Sequence, residues 1–221
     1  MKKKAIVAGA SGLVGGYCLE ELLKDSQYGK VTILVRKSLG LRHPKLQEIV
    51  VDFDQMEKVA SRLVADDVFC CLGTIRKKSP TPEAYRKVDF DYVLKLARIT
   101  SKKKASQFLV VSSMGANPQS SIFYSRLKGE MEEAISRVKF KEVHIFRPSF
   151  ILGEEGRKER RPSEKILEVL LKPFSFLFSG PFRKYRPIHA KTIARAMVRA
   201  AFQDRPGVHV WESDQIEKLG G

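Results

Sequence analysis

Cysteine is scarce in this sequence: three residues, Cys18, Cys70 and Cys71, with no CxxC pair. That leaves no dithiol redox motif and no zinc spacing, so no metal is expected. Cys70 and Cys71 fall in an apolar, strand-like run, where buried and reduced thiols are expected; this fits a cytoplasmic location. Long apolar runs are lacking too. No stretch approaches the ~18 apolar residues of a membrane-spanning helix. The most apolar late segment, Pro173 to Phe182, is short and broken by Pro and Gly. Lys2 to Lys4 precede an apolar run as in a secretory signal, but glycines interrupt it and an amphipathic stretch follows, so no signal peptide is expected. There is no internal repeat and no linker. At 221 residues, one domain with one good core is the expected organisation.

Acidic residues are few beside basic ones: 25 Asp and Glu against 41 Lys and Arg, a net charge of +16. The cations come in small clusters at Lys2–Lys4, Arg76–Lys78, Lys102–Lys104, Arg157–Arg161 and Arg183–Arg186. They make a solvated surface and a field attractive to anionic ligands, or else a nucleic-acid site. Apart from Tyr185 in the last cluster no aromatic residue interleaves with them, and they are spread along the chain, so no specific nucleic-acid partner is expected.

What is abundant is alternation. Short apolar runs at Lys4–Ala8, Val31–Val35, Gln47–Val51, Val68–Leu72, Gln107–Ser112 and Glu142–Phe146 read as strands. Helical spacing follows at Leu13–Leu23, Gln55–Val64, Glu83–Ser101 and Phe123–Val138. Strands without polar alternation are covered on both faces. The pattern predicts an α/β fold with a doubly wound parallel sheet. After Pro148 the rhythm changes. A helix is expected from Pro162 to Leu171 and another over Ala190–Phe202. The segment 150–188 reads as a small C-terminal cap on a single domain spanning 1–221.

Gly9, Gly12 and Gly15 have the spacing GxxGxxG between the first strand and the first helix. A helix N-terminus offers N–H groups and a positive dipole end to a pyrophosphate, so this context predicts a dinucleotide site. The second strand ends in Arg36 and Lys37 where an NAD site usually has a carboxylate. Two cations suit a 2′-phosphate, which predicts NADP(H). Tyr124 and Lys128 lie four apart on a helix and therefore on one face. An ammonium beside a phenol favours the phenolate, which makes the tyrosine a usable acid and base for hydride transfer to a carbonyl. Ser112 and Ser113 end the fifth strand nearby. Adjacent strand residues point oppositely, so one of the two faces the site, and alternation alone leaves open which.

The stretches GASGLVG, VRK, VSS, YSRLK and IFRPS together resemble the short-chain dehydrogenase/reductases of the extended or atypical kind. FCCLGT, VDFDYVLK and RRPSE are most similar to the Tat-interacting-protein-like oxidoreductase subgroup. The resemblance covers most of the chain and implies a Rossmann-like sheet binding NADP(H). It implies that Gly9, Ser11, Gly12, Leu13 and Val14 line the pyrophosphate, and that Arg36 and Lys37 hold the 2′-phosphate. Asp52 and Phe53 would lie near the adenine, and Leu72, Gly73 and Thr74 near the adenosine ribose. Ser113 would hold the substrate oxygen, Tyr124 would be the acid/base, and Lys128 would support it and bind the nicotinamide ribose. Pro148, Ser149 and Ile151 match the loop flanking the carboxamide. Many members carry an Asn in the fourth helix that joins a proton relay; here the matching stretch offers Asp89. The implied activity is oxidoreduction of a small carbonyl or alcohol. The family also holds cofactor-binding regulators that act through partners. Substrate identity and oligomeric state are not encoded in any feature of the sequence.

Overall fold

A computed structural model describes residues 1–75, 79–153 and 185–221. Seven strands form one sheet in which every neighbouring pair is parallel. They are β1 (Lys3–Ala8), β2 (Tyr28–Val35), β3 (Leu46–Val50), β4 (Asp67–Cys70), β5 (Gln107–Val111), β6 (Glu142–Arg147) and β9 (Gly207–Glu212). Their order is β3-β2-β1-β4-β5-β6-β9. A further two-stranded pair joins β7 (Ile151–Leu152) to β8 (Ile188–His189). From β1 the chain winds outward through β2 and β3, then crosses back to β4. The reversal opens a crevice at the C-terminal ends of β1 and β4, where ligands bind in open α/β sheets.

All four residues of β4 and all five of β5 are buried, as expected of strands covered on both faces. Alternate residues go to opposite layers. Val7, Ile33, Phe69 and Leu109 pack with helix α1 (Leu13–Lys24) and helix α5 (Ala190–Ala200). Ile6, Leu34, Val68 and Phe108 pack with helix α3 (Tyr92–Lys102) and helix α4 (Phe123–Ser136). The remaining helices are α2 (Pro82–Arg86) and α6 (Ser213–Gly220).

Four differences from the sequence expectations stand out. The segment expected as a helix at Gln55–Val64 is a 3₁₀ helix, Phe53–Arg62, kinked at Gln55. It buries only Phe53 and Met56, too small an apolar face to hold a straight α-helix on the sheet. The long helix after Thr81 is interrupted by a π turn at Lys87–Asp91. β9 and α6 were not anticipated, because Val208 and Val210 of β9 are exposed on an edge strand and break the buried-strand pattern. Finally, basic clusters do converge: Lys2–Lys4 open β1 and Lys102–Lys104 precede β5, so both stand at the N-terminal edge of the sheet. A parallel sheet gathers all its strand starts on that side, away from the crevice.

The expected helix Pro162–Leu171, the apolar stretch Pro173–Phe182 and the clusters Arg76–Lys78 and Arg157–Arg161 lie outside the described residues. Among the described residues, no helix is long and apolar enough to cross a membrane.

Candidate active site

The turn from β1 into α1 is held from behind. Gly9 has φ +89°, and a Cβ there would sit 2.5 Å from the Cys71 carbonyl oxygen. A side chain at Gly15 would come within 2.2 Å of the Gly9 carbonyl oxygen. These two glycines are therefore required by the protein's own close approaches. Gly12 is different. A Cβ there would meet only the Gly9 oxygen, at 3.1 Å, and Gly12 faces an open cleft. As N-cap of α1 it brings no side chain to satisfy the first turn, and that turn carries no acidic residue. The positive dipole end of α1 faces the cleft, the setting in which a helix N-terminus takes an anion.

The cleft has a volume of about 650 Å³. Of the expected site residues, Gly12, Leu13, Val14, Leu72, Gly73, Thr74, Ser113, Tyr124, Lys128, Pro148, Ser149 and Ile151 line it. Gly9 and Ser11 lie behind it in the same turn. Arg36 and Lys37 stand exposed just past β2, without an ion-pair partner among the described residues. The nearby carboxylate of Glu48 is engaged by the Ser38 hydroxyl and the Leu39 N–H, both at 2.8 Å. Asp52 is exposed and accepts the Asp54 N–H at 3.0 Å. Phe53 is buried in the core with Met56 and with Leu72, which lines the cleft.

Lys128 is 3% exposed and its ammonium lies 2.7 Å from Oδ1 of Asp89, itself 1% exposed. The other Asp89 oxygen accepts the Thr74 N–H at 2.9 Å. Burial alone would pull Lys128 down. The charges of Asp89 and Tyr124 and the hydrogen bond to Asp89 outweigh it and hold the ammonium above its ordinary range. Lys128 Nζ lies 5.9 Å from the centre of the Tyr124 ring. Tyr85 meets that ring edge-on at 5.9 Å and donates its hydroxyl to the Thr74 carbonyl at 2.8 Å.

Both serines line the cleft, but their hydroxyls have different partners. Ser112 is buried and its hydroxyl donates to Glu132. Ser113 is half-buried, and its hydroxyl donates to the Met114 carbonyl at 3.0 Å. On the far side of the cleft, the Ser149 hydroxyl donates to the Arg186 carbonyl and accepts from the Ser213 hydroxyl at 3.0 Å. Phe150, Met114 and Tyr185 also line the cleft and were missed by sequence reasoning. Phe150 alone had a signal, its place directly after IFRPS.

Cys18 and Cys70 are buried and Cys71 half-buried, all as free thiols. Burial pushes the Cys70 thiol up to about 12. Hydrogen bonding with Cys18, then burial, raises Cys71. These are not activated nucleophiles.

Residues 9–158 match the NAD(P)H-binding family. Protein HTATIP2 of Rattus norvegicus is 36% identical over an alignment covering 99% of this chain and 89% of that protein. Protein FMP52-1, mitochondrial, of Scheffersomyces stipitis is 29% identical, with 97% of each chain covered. Among solved structures, the Bordetella bronchiseptica enzyme WbmH in complex with NAD+ shares the fold. Its TM-score is 0.70 at 17% identity, covering all of this chain and 80% of that one. The mitochondrial name of the yeast relative overturns the cytoplasmic location expected above. Reduced, buried thiols report that they are sheltered; they carry no address.

Proposed function

The chain belongs to the NAD(P)H-binding family, and on that premise we propose that it is an NADP(H)-dependent oxidoreductase of the short-chain dehydrogenase/reductase kind. It interconverts a small carbonyl and its alcohol. One observation carries the reading: Ser113, Tyr124 and Lys128 line the same cleft as the N-terminus of α1. The side-chain-free N-cap and the room in front of it fit a dinucleotide. Bound there, the nicotinamide would supply or accept the hydride.

Gly9, Ser11, Gly12, Leu13 and Val14 surround the pyrophosphate, and Arg36 and Lys37 pair with the 2′-phosphate. Asp52 and Phe53 lie near the adenine. Leu72, Gly73 and Thr74 adjoin the adenosine ribose, and Pro148, Ser149 and Ile151 flank the carboxamide. Ser113 turns its hydroxyl from Met114 to the substrate oxygen. Tyr124 gives that oxygen its proton in reduction and takes it in oxidation. The Lys128 ammonium stabilises the phenolate left behind and reaches the nicotinamide ribose. We read the whole chain, 1–221, as one domain; most of the expected cap, 150–188, lies outside the described residues.

The test is NADPH oxidation by the purified protein across a panel of aldehydes and ketones. Turnover on at least one of them is expected. NADPH binding without turnover on any would leave a cofactor-binding protein and remove the oxidoreductase assignment.

A further inference from the structure

The carboxylate of Asp89 has no free oxygen: one is on Lys128 and the other on the Thr74 N–H. It stands in the π turn at Lys87–Asp91. With 3.6 residues per turn, one residue more or less rotates a side chain by about 100°. The π turn therefore decides that Asp89 faces α4 across the cleft wall. Such turns concentrate at functional sites because they are costly elsewhere.

We propose that Asp89 is a positioning residue that fixes Lys128 and supplies its counter-charge, so that Tyr124 enters the reaction as a protonated acid and the site is set for carbonyl reduction. The inference rests on the assignment of Tyr124 and Lys128 made above. An ammonium has three donors. One is spent on Asp89, which holds the Lys128 stem still and leaves two for the tyrosine oxygen and a ribose hydroxyl.

The electrostatic argument follows from what else faces Lys128. From β4 there is the Cys70 thiol, which burial keeps neutral; from the π turn, Asp89; from α4 itself, Tyr124. With a neutral group at position 89, the buried Lys128 ammonium would lose the ion pair it makes at 2.7 Å, and burial of an unpaired charge would favour a phenolate on Tyr124 beside it. With Asp89 ionised, the cation is already paired, and the carboxylate opposes a second anion nearby. In reduction, hydride from NADPH adds to the carbonyl carbon and the C=O π pair moves onto oxygen. The phenolic proton then neutralises that oxygen and leaves phenolate. A tyrosine that keeps its proton beforehand is ready for this direction.

The experiment needs neither substrate nor cofactor. Phenolate absorbance is titrated in the wild type and in Tyr124→Phe; the difference isolates Tyr124 from the other five of the six tyrosines. The same pair is measured with Asp89→Asn added. Asn keeps an acceptor for the Thr74 N–H but carries no charge. The Tyr124 phenolate should form about one pH unit lower with Asp89→Asn, tenfold in proton affinity. An unchanged or higher midpoint, even with reduced stability, would mean that Asp89 is only structural and would overturn the proposal. Circular dichroism checks folding; should Asp89→Asn not fold, Asp89→Ser makes the same comparison. The result stands whether or not a carbonyl substrate is found, so it separates this inference from the oxidoreductase assignment.

Discussion

Arg147 grips Glu132 with two nitrogens, Nη2 at 2.6 Å from Oε2 and Nε at 3.1 Å from Oε1. The same carboxylate receives the Ser112 hydroxyl, and Arg147 reaches on to Glu212 at 3.2 Å. Four elements, β5, α4, β6 and the end of β9, are thereby tied together behind Ser113. The side chain of Glu132 is only 7% exposed. Removing it strands a buried serine hydroxyl and half the partners of a guanidinium.

Glu132→Ala is therefore expected to cost about 3 kcal/mol, at the lower end for a broken buried pair because Arg147 keeps Glu212. Urea denaturation measures it. Glu133→Ala is the control: its partner Arg137 is 79% exposed, and such surface pairs contribute little. Equal denaturation midpoints for the two variants would show that the Glu132 network is not structural.

Cofactor choice follows from Arg36 and Lys37. Both stand exposed at the end of β2, and the carboxylate of Glu48 is already occupied by Ser38 and Leu39. NADPH should bind at least ~10-fold more tightly than NADH, about 1.4 kcal/mol. Arg36→Ala should weaken NADPH and leave NADH unchanged. Fluorescence titration of both nucleotides measures this; a preference for NADH would remove the 2′-phosphate assignment.

What the sequence makes legible is whatever depends on neighbours along the chain. β1, β4 and β5 show as unbroken apolar runs because both faces are buried. The glycine turn shows because a Cβ at Gly15 would meet Gly9 within the same turn, whereas the approach of Gly9 to Cys71 after β4 is a distant one. Features that depend on distant partners do not show. Nothing in the stretch KVDFD announces a π turn, and Asp89 finds Lys128 39 residues later only through the packing of two helices. Alternation says that Ser112 and Ser113 point oppositely, but Glu132 on α4 decides which turns inward. Phe53 was assigned by family position, and its burial against Met56 is a property of the 3₁₀ helix.

Tyr124 tests the chemistry directly. Its ring is 38% exposed, so losing one oxygen at the cleft surface leaves the core untouched. Tyr124→Phe should keep its fold and NADPH affinity, while turnover on any accepted carbonyl falls about 10²-fold or more. Lys128→Ala should lower both turnover and NADPH affinity, since the ammonium is assigned to the ribose as well. Turnover that persists in Tyr124→Phe would place the acid elsewhere.

Alkaline stability depends on a tyrosine far from the cleft. Tyr28 is fully buried, and its hydroxyl donates to Asp67 at 2.5 Å; Lys3 stands 2.7 Å from the same carboxylate oxygen. Burial first, then the charge of Asp67, holds the phenol far above its ordinary range. An unfolded tyrosine loses its proton near ~10. Above that pH the native chain binds more protons than the unfolded one, so stability falls as pH rises. Lys128, also held above its ordinary range, acts with the same sign. Below about pH 9 neither loss has begun. Between pH 10 and 11 the Tyr28 contribution is about 1 kcal/mol. Tyr28→Phe is expected to start less stable at neutral pH, because Asp67 loses a donor, yet to decline less steeply over that interval by this amount. Urea unfolding at both pH values gives the slopes. Equal slopes would mean that Tyr28 ionises in the folded protein and that its burial does not govern the alkaline limit.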